Sequence, residues 1–521
     1  MIHKKMTPSQ VLNSVFGYDN FRDNQKEVIE SVLAGNDTLA IMPTGGGKSL
    51  CYQVPALIFS GLTVVVSPLI ALMEDQVSQL KHLGIGALFL NSSLDWETYC
   101  ENMRQVRLGD VKLLYVAPET LASDRIQELL STVEISCLTI DEAHCISEWG
   151  HDFRPEYRMI SIFRKRMENA VCLALTATAT ENVRKDIKKT LNMKESKEFI
   201  SSFDRKNIFL EVESRWTKRN GGAENQVLEF VKQYPNESGI IYCFSRKQVD
   251  ELTKFLHSKK MNVLPYHAGL SDNKRTKNQN LFVSGKCDIM VATVAFGMGI
   301  NKSNVRYVLH YDLPKSLEQY YQEIGRAGRD GLPSKAKLLY SRADIRKIQY
   351  FWDEKEQHER LMAEKQLSAM LDYAETYECR RKVLLRYFGE KYEEKTRCGC
   401  DSCDVCAFGP ILTIDVTILV QKILSCIIRT QERYGTSYIV DILLGSKSKR
   451  ILENRHEKLS TWGIGKECSR EDWFELTRLL IEEEYLKKSI DFAVLSLTNK
   501  AKETLTERKK VMLPFKPRGK V

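Results

Sequence analysis

Met42-Pro-Thr-Gly-Gly-Gly-Lys-Ser49 follows the apolar run Thr38-Leu-Ala-Ile-Met42 and precedes Leu50-Cys-Tyr-Gln53. This order predicts a strand, a glycine-rich turn and a helix. Glycines let backbone N–H groups close around phosphate oxygens, and the helix N-terminus adds positive potential. Lys48 would then contact the β- and γ-phosphates of a nucleotide, and Ser49 would hold Mg²⁺. Met42 stands where the strict phosphate-loop pattern has its first glycine, so the alternative is a glycine-rich surface turn.

A pair of carboxylates ends a second apolar run. Asp141 and Glu142 follow Cys137-Leu-Thr-Ile140, about 95 residues after the glycine-rich turn. Asp141 is suited to the magnesium shell, and Glu142 to orienting or deprotonating the attacking water. A lone pair of this kind is usually a solvated turn. Two phosphate-chemistry motifs that each end a strand can meet at the carboxyl edge of one sheet, and this favours a nucleotide site.

The first two-thirds of the chain alternates short apolar runs with amphipathic segments. Such runs suit strands buried on both faces of a parallel sheet that helices cover. The alternation starts again after a polar stretch near residues 216–224, and Ser245 is a plausible helix N-cap in the second series. Two successive α/β units are therefore predicted. Their strands are expected at 38–42, 62–66, 112–116, 137–140, 171–175, 239–244, 288–292 and 305–309.

Two arginines in the second unit are candidates for contacts to a reacting phosphate. They lie in Gln322-Glu-Ile-Gly-Arg326-Ala-Gly-Arg329. Because Arg326 and Arg329 are three residues apart, they would share a face on a helical turn. Exposed arginine pairs are usually solvated. In a chain with a nucleotide site they become candidates for an arginine finger supplied across a domain cleft, which is worth ~10³ to 10⁵ in rate.

Composition excludes several classes of protein. The 521 residues are 43% hydrophobic and 28% charged, so a folded chain of three or four domains is expected. The apolar stretch 62–73 is broken by Ser67 and Pro68 and is far shorter than the ~20 residues of a spanning helix, and no apolar signal segment follows the N-terminus. Lys+Arg 77 against Asp+Glu 68 gives a net charge of +9, which permits a polyanionic partner.

The last third of the sequence changes character. Segments 366–377 and 381–388 carry apolar residues at helical spacing, and Phe408-Gly-Pro410 is a predicted linker. Beyond it, 417–428 and 470–485 read as amphipathic helices, the second with Ser469 and Asp472 in capping-box spacing. Residues 486–498 read as a pair of strands. Helices followed by a β-ribbon predict a small winged-helix unit.

Five cysteines near residue 400 form a candidate metal centre. Cys379 precedes Cys398, Cys400, Cys403 and Cys406. Four thiolates suffice for tetrahedral zinc. The spacing of the last three also resembles that of ferredoxins, so an iron–sulfur cluster is an alternative, although no further Cys-Pro follows. Disulfides are a third alternative, which a reducing compartment disfavours.

The order of these motifs resembles that of a RecQ-family DNA helicase of the second helicase superfamily, almost from end to end. Tyr18-Asp-Asn-Phe-Arg22-Asp-Asn-Gln25 is similar to the family's adenine-recognition motif, and 42–49 matches its own phosphate loop. Asp141-Glu-Ala-His144 runs directly into residues 145–157, and that run resembles the family's aromatic-rich loop. Further matches are Leu175-Thr-Ala-Thr-Ala-Thr180, Tyr242-Cys-Phe-Ser-Arg246, Tyr266-His-Ala-Gly269, 295–302 and 322–329.

The resemblance implies a role for each matching residue. Adenine would lie between Tyr18 and Arg22, with Gln25 on its edge. The ATP phosphates would lie on Thr44, Gly45, Gly46, Gly47, Lys48 and Ser49, with Mg²⁺ on Ser49 and Asp141. The catalytic set would be Lys48, Asp141, Glu142, Gln322, Arg326 and Arg329, in which Arg329 corresponds to the finger and Arg326 to a second phosphate or interdomain contact.

The aromatic-rich loop has its own physical rationale. Trp149 and Phe153 interleave with His151 and Arg154, which gives stacking faces beside a cation, and base–aromatic stacking is worth ~1–3 kcal/mol per base. The alternative is that these aromatic residues belong to the core, most plausibly Tyr157. Because the loop begins close after Asp141, DNA bound there would shift the carboxylates directly.

The resemblance also implies how the C-terminal third binds metal and DNA. It places Zn²⁺ on Cys379, Cys400, Cys403 and Cys406, which leaves Cys398 as a spare thiol or alternative ligand. In the winged helix, Lys447, Lys449, Arg450 and Lys458 are available for phosphates, although a charge run is usually a solvated face. The ribbon at Ser489-Ile-Asp-Phe492 would be the wedge that splits the first base pair. The small helical domain that many relatives carry at the C-terminus is not expected here.

The fold class expected is α/β, with two tandem RecA-like domains whose parallel sheets are covered by helices, then a helical zinc-binding domain and a winged-helix domain. The expected boundaries are 1–200 for the first RecA-like domain, 201–340 for the second, 341–408 for the zinc-binding domain and 409–521 for the winged helix with a basic tail.

The expected activity is that of an ATP-, Mg²⁺- and Zn²⁺-dependent DNA helicase. The resemblance implies 3′→5′ movement on single strands, with roles in repair, recombination and replication-fork maintenance. The expected partners are single-stranded and forked duplex DNA and a single-strand-binding protein that contacts the winged helix. We expect a cytoplasmic monomer, associated with the nucleoid in a bacterium, and no membrane partner.

Two rival functions use the same motifs. An RNA helicase, or a translocase that does not unwind, would share the nucleotide site, and the zinc and winged-helix units argue against it. A zinc-stabilised DNA-binding scaffold with a vestigial ATP site would lack hydrolysis, although every expected catalytic side chain is present.

Overall fold

The protein divides into two compact units, residues 1–407 and 408–521. The structure is a computed structural model that describes residues 6–68, 70–91, 93–150, 152–167, 169–217, 221–297, 302–352, 356–392, 400–407, 414–489, 494–507, 509–513 and 515. The predicted linker at 408–410 lies outside these residues. The three predicted domains of residues 1–408 correspond to parts of the first unit, and their boundaries stay a prediction.

The first lobe of unit one is built on a seven-stranded sheet in the order β3-β4-β2-β5-β6-β1-β7. All neighbouring strands are parallel. The central strands β1, β2 and β4 are buried along their whole length, as the uninterrupted apolar runs predict. The strands are β1 (Thr38–Ile41), β2 (Leu62–Val66), β3 (Ala87–Leu90), β4 (Leu113–Val116), β5 (Ile135–Ile140), β6 (Val171–Thr176) and β7 (Lys197–Ile200).

Helices cover the first sheet because its strands are parallel and each crossover needs one. Helix α3 begins directly after Ser49, as the glycine-rich motif predicts. The helices are α1 (Pro8–Phe16), α2 (Gln25–Leu33), α3 (Leu50–Ile58), α4 (Ile70–His82), α5 (Trp96–Leu108), α6 (Pro118–Leu121), α7 (Asp124–Ser131), α8 (Pro155–Arg158), α9 (Ile160–Arg166) and α10 (Glu181–Thr190).

The second lobe repeats this arrangement on a six-stranded parallel sheet in the order β10-β11-β9-β12-β13-β8. Ser245 caps helix α12 through a capping box with Gln248, which confirms the predicted N-cap. The elements are β8 (Ile208–Ser214), α11 (Ala223–Val231), β9 (Ser238–Tyr242), α12 (Arg246–Ser258), β10 (Val263–Tyr266), α13 (Asp272–Val283), β11 (Ile289–Ala292), β12 (Val305–His310), α14 (Leu317–Ile324) and β13 (Ser334–Tyr340).

A helical segment completes the first unit. Its core residues, Met370, Tyr373 and Leu384 among them, belong to the same hydrophobic cluster as strands of both lobes. The tyrosine rings of Tyr320 and Tyr373 lie 5.1 Å apart, which ties this segment to helix α14. Its helices are α15 (Ala343–Tyr350), α16 (Gln357–Glu375), α17 (Arg380–Tyr387) and α18 (Asp404–Ala407).

The second unit has the helices and ribbon of the predicted winged helix. Ser469 and Asp472 form the predicted capping box at the start of α22. Strands β15 and β16 are antiparallel, and residues 490–492 of the predicted wedge lie outside the described part of the chain. The elements are β14 (Ile414–Asp415), α19 (Thr417–Arg429), α20 (Thr436–Leu443), α21 (Lys449–Glu453), α22 (Arg470–Glu482), β15 (Leu486–Lys488), β16 (Leu495–Leu497), α23 (Asn499–Thr506) and β17 (Met512–Leu513).

Within the described residues, every helix is too short or too polar to cross a lipid bilayer.

Candidate active site and metal centre

The phosphate loop leaves the carboxyl end of β1 and turns into α3. Gly45 and Gly47 have φ angles of +84° and +77°, a region in which a side chain is strained. The Lys48 ammonium donates a hydrogen bond to the Met42 carbonyl at 3.3 Å, so it folds back over the loop. This is the strand, turn and helix that the sequence predicts for binding phosphate.

The predicted adenine-binding residues lie beside this loop. The Gln25 amide nitrogen donates to the carbonyls of Gly46 (3.3 Å) and Gly47 (2.9 Å), and its oxygen accepts from the Arg22 backbone N–H at 2.8 Å. The Arg22 guanidinium donates to the Gly45 carbonyl. Tyr18 is 55% exposed. In this structure, Arg22 and Gln25 therefore bind the phosphate loop itself, and their contact with adenine stays a prediction.

The predicted carboxylates follow β5, two strands from β1 in the same sheet. The Glu142 backbone N–H donates to the Asp141 carboxylate at 3.0 Å, and Glu142 has a φ of +49°. The Nδ1 atom of His144 lies 3.3 Å from Oε2 of Glu142 and 2.9 Å from the hydroxyl of Thr176. His144 is fully buried and therefore joins the carboxylate to the end of β6.

Burial and the neighbouring Glu142 charge raise the pKa of Asp141 to about 7, while the Lys48 ammonium opposes that shift. Two adjacent acids in a partly buried site repel each other, and a divalent cation would relieve that repulsion. Oxygen ligands of this kind suit Mg²⁺, so Asp141 and the Ser49 hydroxyl fit the predicted metal role.

The two predicted finger arginines lie in different surroundings. Helix α14 ends at Ile324, so Arg326 and Arg329 stand in the turns beyond it, and the expectation of one shared helical face is wrong. The Arg326 guanidinium donates to the Gly297 carbonyl in its own lobe. By contrast, a Cβ at Gly45 would stand 3.2 Å from Cγ of Arg329, so Arg329 packs on the phosphate loop. Gln322 is buried on α14.

Burial, Arg326 and Arg205 lower the pKa of the Arg329 guanidinium to about 9. Like charges gathered in a desolvated cleft destabilise one another, and an anion placed among them would remove that penalty. The cleft between the two lobes is therefore electrostatically suited to a polyphosphate.

Arg205 is a cleft residue that sequence reasoning did not find. It lies between β7 and β8, and its guanidinium donates to the Thr44 carbonyl of the phosphate loop and to carbonyls in the turn that carries the arginines. No glycine-rich or acidic motif surrounds it, so the only sequence signal was its place between the two predicted α/β units.

The aromatic-rich loop begins at the carboxylates and passes beneath helix α16. Trp149 is 38% exposed, with His358 edge-on at 6.1 Å and the Lys365 ammonium 5.9 Å from its ring. The Arg158 guanidinium lies 5.3 Å from the half-buried ring of Phe153. Tyr157 is fully buried, which confirms the core alternative for that residue. His151 lies outside the described residues.

Hydrogen bonds join this loop to the carboxylate strand. The Tyr157 hydroxyl donates to the Asp141 carbonyl at 3.2 Å. Arg154 donates through its side chain to Asp152 (3.0 Å) and to the Pro68 carbonyl (3.2 Å), and through its backbone to the Cys145 carbonyl (3.0 Å). A displacement of the loop would therefore reach the backbone of Asp141.

Four of the five candidate cysteines converge. The sulfur atoms of Cys379, Cys400, Cys403 and Cys406 all lie within 4.8 Å of one another. A tetrahedral zinc with Zn–S bonds of 2.3 Å separates its sulfurs by about 3.8 Å. Hydrogen bonds from the thiols of Cys379 and Cys400 lower the pKa of Cys403, which favours a thiolate. The four residues fit zinc, and Cys398 lies outside the described residues.

The zinc cluster is anchored to the second lobe. The Leu210 N–H of β8 donates to the Ser402 carbonyl at 3.0 Å, and the Val212 N–H donates to Asp404 at 2.9 Å. The Arg380 guanidinium, next to Cys379, also binds Asp404. The metal centre therefore fixes the helical segment to the sheet that carries the arginine turn.

In the second unit, the predicted phosphate contacts Lys447, Lys449, Arg450 and Lys458 are all exposed. The Arg450 guanidinium lies over the stacked rings of Tyr434 and Tyr438, at 5.6 and 5.1 Å. Their role in binding DNA stays a prediction.

Comparison with known families matches four consecutive domains. They are DEAD/DEAH box helicase over residues 22–186, helicase conserved C-terminal domain over 223–331, RecQ zinc-binding over 342–407 and RQC domain over 410–520.

The matches to individual relatives span nearly the whole of this chain. The chain is 44% identical over 504 residues to ATP-dependent DNA helicase RecQ of Pasteurella multocida, which spans 96% of this chain and 78% of that protein. It is 42% identical over 510 residues to ATP-dependent DNA helicase RecQ of Bacillus subtilis, with 97% and 84% covered. The RecQ-like DNA helicase blm-1 of Caenorhabditis elegans is 40% identical over 502 residues, with 92% of this chain and 50% of that protein covered.

Solved structures support the fold. The Mycobacterium smegmatis helicase Lhr bound to ssDNA and AMP-PNP has a TM-score of 0.54 at 15% identity, over 97% of this chain and 62% of that one. S. cerevisiae Dbp5 bound to RNA and ADP BeF3 has a TM-score of 0.53 at 15% identity, over 70% of this chain and 97% of that one. The predicted RecA-like, zinc-binding and winged-helix architecture is confirmed.

Proposed function

Because the chain belongs to the RecQ family of ATP-dependent DNA helicases, we propose that it moves 3′→5′ along single-stranded DNA and unwinds the duplex ahead. The proposed roles are in repair, recombination and replication-fork maintenance. The observation that carries the motor proposal is the packing of Arg329, from the second lobe, on Gly45 in the phosphate loop of the first.

In this proposal ATP binds in the cleft between the lobes. Lys48 holds the β- and γ-phosphates, and the loop residues Thr44 to Ser49 enclose them with backbone N–H groups. Arg22 and Gln25 move from the loop contacts of the present structure and, together with Tyr18, hold adenine. Mg²⁺, held by Ser49 and Asp141, would neutralise charge that develops on the phosphate oxygens.

The hydrolytic groups come from both walls of the cleft. Glu142 orients and deprotonates the attacking water, with His144 fixing its carboxylate. Arg329 stabilises the transferring phosphate, while Gln322 and Arg326 support the same turn from the second lobe. Because half of the set belongs to each lobe, hydrolysis requires a closed cleft, and product release allows it to open.

DNA would control this cycle through the aromatic-rich loop. Bases stacked on Trp149 and Phe153, beside His151 and Arg154, would shift a loop that is hydrogen-bonded to the Asp141 backbone. The winged helix would grip the duplex of a fork through its exposed basic residues, and the zinc centre would hold the intervening helices in place. We further propose a monomer in the cytoplasm, associated with the nucleoid, with a single-strand-binding protein as a partner of the winged helix.

The test compares wild type with Lys48→Ala. The variant should lose DNA-stimulated ATP hydrolysis and strand displacement, while its affinity for single-stranded DNA stays within a few-fold. Forked DNA, RNA duplexes and overhangs of either polarity serve as substrates for the wild-type protein. Faster displacement from a 5′ overhang, or an equal rate on RNA, would contradict the proposed polarity or substrate. Hydrolysis retained by Lys48→Ala would contradict the nucleotide site.

A further inference from the structure

Arg205 connects the two walls of the nucleotide cleft. It lies in the segment 201–207, which joins the last strand of the first lobe to the first strand of the second. One guanidinium nitrogen donates to the carbonyls of Thr44 and Gly325, both at 3.1 Å. The other donates to the carbonyls of Ala327 (2.9 Å) and Gly328 (3.0 Å).

These four acceptors belong to two functional segments. Thr44 lies in the phosphate loop. Gly325, Ala327 and Gly328 belong to the turn that carries Arg326 and Arg329. Main-chain packing follows the same path, since a Cβ at Gly325 would stand 3.2 Å from Cβ of Thr44. One side chain therefore fixes the spacing between the phosphate loop and the arginine turn.

The electrostatics of Arg205 are unusual for a mostly buried arginine. Among the described residues, all its hydrogen bonds go to backbone carbonyls, and no carboxylate lies within ion-pair distance of its guanidinium. Burial lowers its pKa, and its charge adds to the repulsion felt by Arg329. A guanidinium is the side chain suited to this position, because its planar fork satisfies several acceptors at once and stays charged.

The arginine turn has a second anchor inside the second lobe, the side chain of Asn207. The Asn207 amide donates to the carbonyls of Gly328 (2.8 Å) and Leu332 (2.9 Å), which anchors the turn inside the second lobe. Across the cleft, Arg205 adds the hydrogen bond to the Thr44 carbonyl, which Asn207 does not make. Besides supporting the turn, Arg205 therefore holds it at a fixed distance from the phosphate loop.

We propose that Arg205 is a positioning residue that sets the approach of Arg329 to the γ-phosphate. This inference rests on the proposed function, in which Arg329 is the arginine finger. Arg205 itself makes no contact with the nucleotide in this account. Without it, the second lobe closes with the finger misplaced, and a misplacement of about 1 Å costs on the order of 100-fold in rate.

The test is a double-mutant cycle on hydrolysis with saturating single-stranded DNA. Arg205→Ala should lower kcat on the order of 100-fold while the KM for ATP changes by no more than a few-fold. Arg329→Ala should lower kcat by ~10³ or more. If Arg205 acts through Arg329, the double variant should be no slower than Arg329→Ala alone, within about threefold. Losses that multiply would overturn the inference.

A conservative variant separates shape from charge. Arg205→Lys keeps the positive charge but cannot present a fork to four carbonyls, so it should resemble Arg205→Ala in kcat. Hydrolysis at the wild-type rate by Arg205→Lys would overturn the inference. Should Arg205→Ala unfold at the assay temperature, Arg205→Gln takes its place in the same cycle.

Two variants, Arg164→Ala and Arg329→Ala, distinguish failure of this inference from failure of the proposed function. Arg164→Ala removes another largely buried arginine, which binds Asp37 at 2.7 Å in the first lobe away from the cleft, and it should lower thermal stability without lowering kcat. An equal loss of kcat in Arg164→Ala would make the effect at Arg205 one of general stability and would overturn the inference. Normal hydrolysis by Arg329→Ala would contradict the proposed function itself.

Discussion

The Nδ1 atom of His144 lies 3.3 Å from Oε2 of Glu142. The imidazole is fully buried, and the same nitrogen lies 2.9 Å from the hydroxyl of Thr176 at the end of β6. Glu142 has a φ of +49°, a backbone conformation that few residues other than glycine adopt. The contact with His144 holds its carboxylate in place. The proposed base is therefore oriented by a buried neighbour that also contacts the end of β6.

We predict that His144→Ala lowers kcat for ATP about tenfold to 100-fold and leaves the affinity for nucleotide within a few-fold. A hydrogen bond to a charged group is worth about 1.5–3 kcal/mol, and 1.36 kcal/mol is tenfold in rate. Steady-state hydrolysis and fluorescent-nucleotide binding check this. Thr176→Val, which keeps the contact to Glu142, is the control and should lose less. A rise in KM without a fall in kcat would show that His144 serves binding.

We predict that Gly47→Ala weakens nucleotide binding at least tenfold. A Cβ there would stand 2.3 Å from the amide nitrogen of Gln25, which is buried against the loop, and φ is +77°. Gly35 is the matched control, because its φ is +84° but nothing lies within 4 Å of an added Cβ. Gly35→Ala should lose about 1–3 kcal/mol of stability from backbone strain alone and bind nucleotide normally. Equal affinity in the two variants would contradict this account of the loop.

We predict that Trp149→Ala abolishes most of the stimulation of hydrolysis by DNA and leaves the basal rate unchanged. The ring is partly exposed in the loop that is tied to Asp141, and loss of one stacked base costs ~1–3 kcal/mol. Titration of single-stranded DNA against the ATPase rate measures both quantities. Trp96→Ala, at an exposed tryptophan outside the loop, is the control. If DNA stimulates hydrolysis by Trp149→Ala as fully as it stimulates the wild type, the aromatic-rich loop does not couple DNA binding to hydrolysis through Trp149.

We predict that Cys403→Ser releases zinc and lowers the thermal stability of unit one. Cys403 is the fully buried member of the four-sulfur cluster, and its segment pairs with Leu210 of β8. Metal content by mass spectrometry should fall from one zinc per chain in the wild type. Cys287→Ser, at a buried cysteine away from the cluster, should keep the metal. One zinc retained by Cys403→Ser, or iron in the wild type, would contradict the assignment.

Local features of the fold were predictable from the sequence. The strands that end at the phosphate loop and at the carboxylates are short, mostly apolar runs, and the capping box at Ser469 depends on residues three apart. The alternative that Tyr157 belongs to the core was also confirmed. By contrast, β7 has no fully buried position, β8 has fully buried positions only at Ile208 and Leu210, and both strands carry charged residues, so their apolar signal was too weak to find.

Contacts between distant segments could not be predicted from the sequence. Arg205 bonds to carbonyls 120 to 161 residues away in either direction, and no local pattern identifies such acceptors. Arg326 and Arg329 have different surroundings because α14 ends before them, at Ile324. The sequence around Gly325 did not show where this helix ends. Cys379 and Cys400 are distant in the sequence but lie in one cluster, and the Leu210 N–H of β8 binds the carbonyl of nearby Ser402.

The central claim is that Arg329 reaches across the cleft to nucleotide bound on the phosphate loop. The most direct measurement is the rate of ATP hydrolysis by Arg329→Ala at saturating single-stranded DNA and ATP. The account predicts a fall of ~10³ or more in kcat with nucleotide affinity within a few-fold of wild type. A kcat within a few-fold of wild type would contradict it.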